Sequence, residues 1–225
     1  MLTYEVYQLK VQQFGFINYI YLIVDKYTKN TAIVDPSWNT VAVFNLLDKL
    51  KVEVNAIHLT HSHIDHVYMT NALLRRYRNA KVYMSDIECS YYKFSSHNLI
   101  RLHDNDMIRL GETNVTCILT PGHTKGSMCY LLEESLFTGD TIFSEGCGMC
   151  KGPGANAYDM YYSLQKVKDI VSPNVRIYAG HSYGKQPGET LCEVVKHNIY
   201  FQIEDINKFV EFRNRKGQDD LFKFT

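Results

Sequence analysis

Residues 61–66, His-Ser-His-Ile-Asp-His, place three histidines and an aspartate within six positions. Histidine and aspartate are weak helix formers and weak strand formers, so secondary structure alone gives no reason for the cluster. Neutral imidazoles and a carboxylate are, however, donors that zinc, iron and manganese accept. Leaving four such groups buried without partners would cost roughly 1–3 kcal/mol per group, which favours a metal centre over an ordinary polar turn.

Three later stretches extend the pattern. "TPGHTKGS", "FTGDTIF" and "YAGHSYG" carry His123, Asp140 and His181, each directly after a glycine and after a strand-like run. Glycine lets the chain turn sharply at a strand end and lets backbone approach a crowded centre. Of the remaining histidines, His97, His103 and His197 read as ordinary polar residues. His58, in the run that enters the cluster, also reads as an ordinary residue, with support of a ligand as the alternative. No Ser-His-Asp arrangement is required for metal-assisted hydrolysis.

The elements that must position these groups are legible as periodicities. "EVYQLKV", "INYIYLIVD" and "NTAIVDP" alternate as strands, and "NTVAVFNLLDKL" has helical spacing. "NAIHLT" reads as a short buried strand and "DHVYMTNALLRRY" as one helix beginning inside the cluster. On the strand end His61 and His63 are two apart and point to one side. Asp65 and His66 then open the helix, where the helix dipole favours the carboxylate. "AKVYMS" is a further strand, and residues 86–105 read as a short helix plus loop. "DMIRL", "NVTCILT", "SMCYLLE", "SLFTGD" and "NVRIYAG" complete the strands. "AYDMYYSLQKVKDIV" is predicted as a helix with Met160, Leu164, Val167, Ile170 and Val171 on one face. "GETLCEVVKHNIYFQI" and "EDINKFVEFRNRK" read as closing helices. Two strand groups, each followed by helices, predict an αββα sandwich of two mixed sheets flanked by helices.

A chain of 225 residues fits a single domain, 1–225, with a short C-terminal helical extension over about 186–225. Lys plus Arg equals Asp plus Glu at 24 each, which gives no general attraction to nucleic acid or membrane surfaces. No run of 18 apolar residues appears, and the first residues read as a strand, not a signal peptide. With six cysteines read as reduced thiols, a cytoplasmic protein is expected. Cys147 and Cys150 have CxxC spacing without a second pair, so they do not suggest a structural zinc site.

The ordered set of motifs resembles metallo-β-lactamase-fold hydrolases over about residues 4–185, with HxHxDH followed by His, Asp and His at strand ends. The resemblance implies one metal held by His61, His63 and His123. It implies a second held by Asp65, His66 and His181, with Asp140 bridging. "TPGHTKGSMCYLL" and "LFTGDTIFSEGCGMCKGPG" are similar to the corresponding stretches of glyoxalase II. Two departures stand out. Only about 40 residues follow His181, and Met149 occupies the usual basic position, with Lys151 two residues later. The tail "NIYFQIEDINKFVEFRNRKGQ" resembles small glyoxalase-II-like, zinc-dependent hydrolases found with bacterial trans-acyltransferase polyketide synthases of the bacillaene type.

That resemblance implies a dinuclear zinc hydrolase of acyl thioesters in polyketide (antibiotic) biosynthesis, with iron or manganese as alternative metals. The nucleophile would be a metal-bridging hydroxide, with Asp65 orienting it. A thiol has a pKa of about 8.5, so a thiolate leaves without a general acid, whereas an amine would need one. The acyl group would arrive on a small molecule or an acyl carrier protein. Lys151, Arg213, Arg215 and Lys216 are the candidate substrate contacts; Tyr158, Tyr161 and Tyr162 read first as helix-packing residues, with one of them as an alternative cover. The alternatives are glyoxalase II itself and a mononuclear-iron persulfide dioxygenase. A nuclease of the same fold would need an extended basic groove that this neutral chain does not advertise.

Overall fold

A computed structural model describes residues 1–13 and 15–216. Gly217 and Gln218, which end the tail motif, lie outside the described residues, as does the rest of the extension. The first sheet has six strands in the order of the chain: β1 (Tyr4–Gln13), β2 (Phe16–Asp25), β3 (Thr31–Val34), β4 (Val54–His58), β5 (Lys81–Ser85) and β6 (Leu99–Leu102). Helices α1 (Thr40–Leu50), α2 (Ile64–Val67), α3 (Thr70–Arg76) and α4 (Asp86–Tyr92) connect its later strands. The second sheet comprises β7 (Met107–Leu110), β8 (Thr113–Leu119), β9 (Met128–Leu131), β10 (Ser135–Gly139) and β11 (Arg176–Ala179), with β7 and β11 at its edges. Helices α5 (Ala157–Ile170), α6 (Leu191–His197), α7 (Ile199–Gln202) and α8 (Ile206–Arg213) follow β10 and β11. Both sheets are mixed, and the chain has the αββα sandwich expected from its sequence.

Strand β2 shows how four layers arise from a period of two. Ile20, Leu22 and Val24 face outward and pack with Val43 and Leu47 of α1 and Leu73 of α3. Tyr19, Tyr21 and Ile23 face inward and pack with Val115, Met128 and Phe137 of the second sheet. A strand covered on both faces reads as a nearly continuous apolar run. The outer face of the second sheet is closed by Met160, Leu164 and Val167 of α5, Val194 of α6 and Phe209 of α8. Asn156 caps α5, its side chain accepting from the Tyr158 and Asp159 amides. Ile170, expected on the buried face, is exposed at the last turn. Among the described residues no helix is long and apolar enough to cross a membrane.

Three predicted elements differ. The helix expected from Asp65 onward is broken between α2 and α3, because the Met69 amide donates to the Pro36 carbonyl at 2.9 Å. The loop expected after α4 contains β6, an edge strand exposed enough to blur its alternation. The helix expected over 188–203 is divided at Asn198, whose amide donates to the Phe143 and Gly146 carbonyls and whose oxygen accepts from the Tyr200 amide.

The sheets are tied together at the far end from the histidines by Asp25. Its carboxylate accepts from the Thr28 amide and hydroxyl, and from the Glu112 amide and Thr113 hydroxyl of the β7–β8 turn. Gly111 in that turn has φ 62°, and a Cβ there would lie 2.7 Å from Asp25 Oδ1. Burial alone would raise the Asp25 pKa, but these donors outweigh it and hold the group below its ordinary value. Its contribution to stability is therefore complete above the unfolded-state pKa and is lost as pH falls through the lower folded value. Asp25→Asn should lower Tm by several degrees at pH 7, with the deficit shrinking in acid as the wild-type carboxyl protonates; a deficit independent of pH would show that the charge is not what matters.

Candidate metal centre

All seven predicted ligands meet at one end of the sandwich, where strands of both sheets finish. β4 leads through Leu59 and Thr60 to His61, and the chain turns through His63 into α2, which carries Asp65 and His66. The segment after β8 brings His123, the end of β10 brings Asp140, and the end of β11 brings His181. The glycines are required by contact. A Cβ at Gly139, which has φ 48°, would lie 2.2 Å from Thr60 Oγ1. One at Gly180 would lie 2.6 Å from His66 Cε1 and 2.9 Å from Asp140 Oδ1.

The ligand atoms form two triads. His63 Nδ1 lies 3.1 Å from His61 Nε2 and 3.0 Å from His123 Nε2. Asp65 Oδ2 lies 3.4 Å from His66 Nε2 and 3.3 Å from His181 Nε2, and those two nitrogens are 3.3 Å apart. Asp140 spans them: Oδ2 is 3.4 Å from His123 Nε2, and Oδ1 is 3.3 Å from His66 Nε2 and 3.5 Å from His181 Nε2.

The outer nitrogens define what the inner ones present. The Thr60 hydroxyl gives its proton to Asp35 Oδ2 at 2.7 Å, so at 3.0 Å it accepts from His61 Nδ1–H. His66 Nδ1–H donates to Asp35 Oδ2 at 2.9 Å, His123 Nδ1–H to the Met149 carbonyl at 2.7 Å, and His181 Nδ1–H to the Ile17 carbonyl at 2.6 Å. The four Nε2 lone pairs therefore face inward. Imidazole nitrogens held 3.0–3.3 Å apart must share either a proton or a cation between them. Asp140 Oδ1 is buried and lacks a hydrogen-bond donor among the described residues. Nitrogen and carboxylate donors so arranged fit zinc, and His61, His63 and His123 on one side and Asp65, His66 and His181 on the other are the sets that would hold it.

The electrostatics divide the same way. Burial, reinforced by neighbouring histidines, lowers the pKa of His61 and His63, and burial likewise lowers that of His123, which keeps these imidazoles neutral. Burial would also depress His66, but Asp65, Asp140 and Asp35 outweigh it and hold the group well above its usual value. His181 is raised by Asp140 and Asp65 in the same way. Burial would raise Asp65 and Asp140, yet the adjacent histidines hold both below the ordinary carboxylate range. A metal bound at this half competes with protons for the same imidazole nitrogens.

Two supporting residues are not evident from the sequence. Asp35, at the "IVDP" strand end with φ 47°, serves His66 and Thr60 together and also accepts from the Thr60 amide at 2.8 Å. Its position before Pro36 is the one local signal. Glu88 on α4 accepts from the Ser62 amide and hydroxyl, the Thr124 hydroxyl and the Gly126 amide, at 2.7–3.0 Å. It clamps together the two loops that carry the first triad, and no local pattern marks it. His58 does not support a ligand: it is buried, stacked on Tyr130 at 4.9 Å and edge-on to Tyr83 at 5.4 Å, with its pKa pushed down to about 3 by burial. His97, His103 and His197 are exposed, as expected.

A cavity of about 300 Å³ opens over both triads. Phe16, Phe143, Met149 and Ile199 give it apolar walls, and Lys151, Arg213 and Arg215 also line it. Arg213 is buried, and its Nη1 donates to Tyr200 Oη at 2.5 Å. Lys216 is exposed and is not part of this lining. The candidate covers Tyr158, Tyr161 and Tyr162 do not line it either. Tyr161 packs on Phe209 and donates to the Glu204 carbonyl, while Tyr183 and Tyr200 border the cavity instead. Cys147 is buried in the wall beside half-buried Cys150; both are free, with burial pushing the Cys147 thiol up and Cys150 to about 11. Asp35→Asn should weaken metal affinity by about 10–100-fold, read by competition with a chromophoric chelator, because His66 loses its fixed orientation. Unchanged affinity in the folded variant would show that His66 does not depend on Asp35.

Comparison with known proteins agrees with this geometry. Residues 14–181 match the metallo-beta-lactamase superfamily. A probable polyketide biosynthesis zinc-dependent hydrolase of Bacillus subtilis, PksB, is 48% identical over 223 residues, covering 99% of both chains. A probable hydroxyacylglutathione hydrolase of Schizosaccharomyces pombe is 30% identical over 216 residues, covering 91% of this chain and 80% of that protein. Among solved structures, ETHE1 from Myxococcus xanthus superposes with a TM-score of 0.82 at 26% identity, covering 93% of this chain and 90% of that one. With the fold, the seven converging side chains and these similarities in agreement, the chain belongs to the metallo-β-lactamase superfamily.

Proposed function

We propose that this protein is a zinc-dependent hydrolase of polyketide biosynthesis that cleaves an acyl thioester at a two-metal centre. The observation that carries the reading is Asp140, whose two oxygens lie 3.3–3.5 Å from histidine nitrogens of both triads. A carboxylate so placed reaches both triads, and each triad offers three donors of the kind zinc accepts. When bound, zinc would activate a water and polarise the scissile carbonyl. Near-full-length similarity to a protein named as a zinc-dependent hydrolase of polyketide biosynthesis supports the setting.

The chain's own residues supply binding and orientation. Asp65, kept ionised by His66 and His181, offers an acceptor at the floor of the cavity. Phe16, Phe143 and Ile199 exclude water and suit an acyl chain. Arg213 and Arg215 provide guanidinium groups in the same cavity, suited to an anionic part of the substrate or of a carrier arm. A thiolate leaving group asks for no proton donor, which suits a site whose histidines are directed at metals.

The test is a panel of acyl-N-acetylcysteamine, acyl-carrier-protein and S-lactoylglutathione thioesters, run with metal quantification. The proposal predicts two zinc ions per active chain and kcat/KM higher for carrier-type thioesters by at least about tenfold, a difference of about 1.4 kcal/mol in transition-state binding. Preference for S-lactoylglutathione would assign the protein to glyoxalase II, a reading favoured by its similarity to a probable hydroxyacylglutathione hydrolase. One iron per chain with oxygen consumption would make it a persulfide dioxygenase instead.

A further inference from the structure

Strand β2 reaches the second triad with two consecutive residues. The Ile17 carbonyl holds His181, and Asn18, only 1% exposed, holds Asp65. Asn18 Nδ2 donates to Asp65 Oδ2 at 3.0 Å and to the Asp65 carbonyl at 3.2 Å. Its Oδ1 accepts from Trp38 Nε1 at 2.9 Å. An indole nitrogen can only donate, so the amide must turn its oxygen to Trp38 and its NH₂ to Asp65.

The same contacts explain the break in the helix that begins at the motif. The Asp65 carbonyl accepts from Asn18, and the Met69 amide, its partner in an unbroken α-helix, donates to Pro36 instead. Residues 35–38 thus support the second half of the motif three times: Asp35 holds His66, Pro36 takes the Met69 amide, and Trp38 sets the Asn18 amide. Asp65 is the ligand that needs such support. Its side chain is 21% exposed, more than those of His66 at 1% or His181 at 7%. By bonding both the carboxylate and the carbonyl of one residue, Asn18 fixes that side chain relative to its own backbone.

We infer that Asn18, locked in orientation by Trp38, is the positioning residue for Asp65 and thereby sets affinity at the second of the two metal positions. The inference rests on the two-metal reading above. Removing both polar partners by Asn18→Leu with Trp38→Phe leaves no buried N–H orphaned, so the fold should survive. Zinc titration of the metal-free variant against a chromophoric chelator should show the second binding step weakened by about 10–100-fold and the first unchanged, the pattern also expected of Asp65→Asn. Asn18→Ala provides a second arm with the same expected signature, and Tm of the metal-free proteins checks folding. A general structural defect would weaken both steps together. Equal weakening of both steps, or an unchanged second step in a wild type that loads two ions, would overturn the role of Asn18 alone. A wild type that loads a single ion would overturn the two-metal reading and this assignment with it.

Discussion

The structure depends on holding imidazole nitrogens and carboxylates together, mostly out of water, and aimed at common points. Such groups repel one another or pair with protons when left alone, and burying them costs free energy unless a cation compensates. Every device around the centre opposes that tendency. Asp35, Thr60 and the Met149 and Ile17 carbonyls each occupy an outer histidine nitrogen, so that the inner lone pairs cannot turn away. Glu88 satisfies four donors from two loops and keeps the first triad from opening.

The sandwich supplies rigidity at the one place where these groups can meet. Each triad takes two side chains from the segment after β4 and one from a strand end of the second sheet, so packing between the sheets is what closes each triad. Tyr21 shows the coupling: its ring packs against Phe137 and Tyr178 across the interface, and its hydroxyl donates to the Ala179 carbonyl, two residues before His181. Glycine at 139 and 180 lets the second sheet's strand ends approach Thr60 and His66 closely. The cavity combines the candidate ligands with apolar walls and with arginines from the C-terminal segment.

The convergence of the seven candidate ligands and the layer order were legible in the sequence because both have strong local signatures. Histidine or aspartate directly after glycine recurs at successive strand ends, a pattern that ordinary turns rarely produce. Strand β2 alternates between two cores with a strict period of two. The supporting shell was harder to read. Glu88 and Asp35 reach the centre from segments far away in sequence, through single side chains with no periodic context. The split of the helix after Asp65 was hidden because it arises from long-range partners at Asn18 and Pro36, which local propensity cannot register. Among the basic candidates, Lys151, Arg213 and Arg215 line the cavity and Lys216 does not; both arginines donate to Tyr200 Oη, a long-range contact that charge alone does not reveal.

The two-metal centre is tested most directly by a crystal structure of the zinc-loaded protein with anomalous maps recorded at the zinc edge. Two peaks are expected, one among His61, His63 and His123 and one among Asp65, His66 and His181, with the Asp140 carboxylate between them. A single peak at full occupancy, or two peaks of which either lies outside these triads, would contradict a centre built in this way.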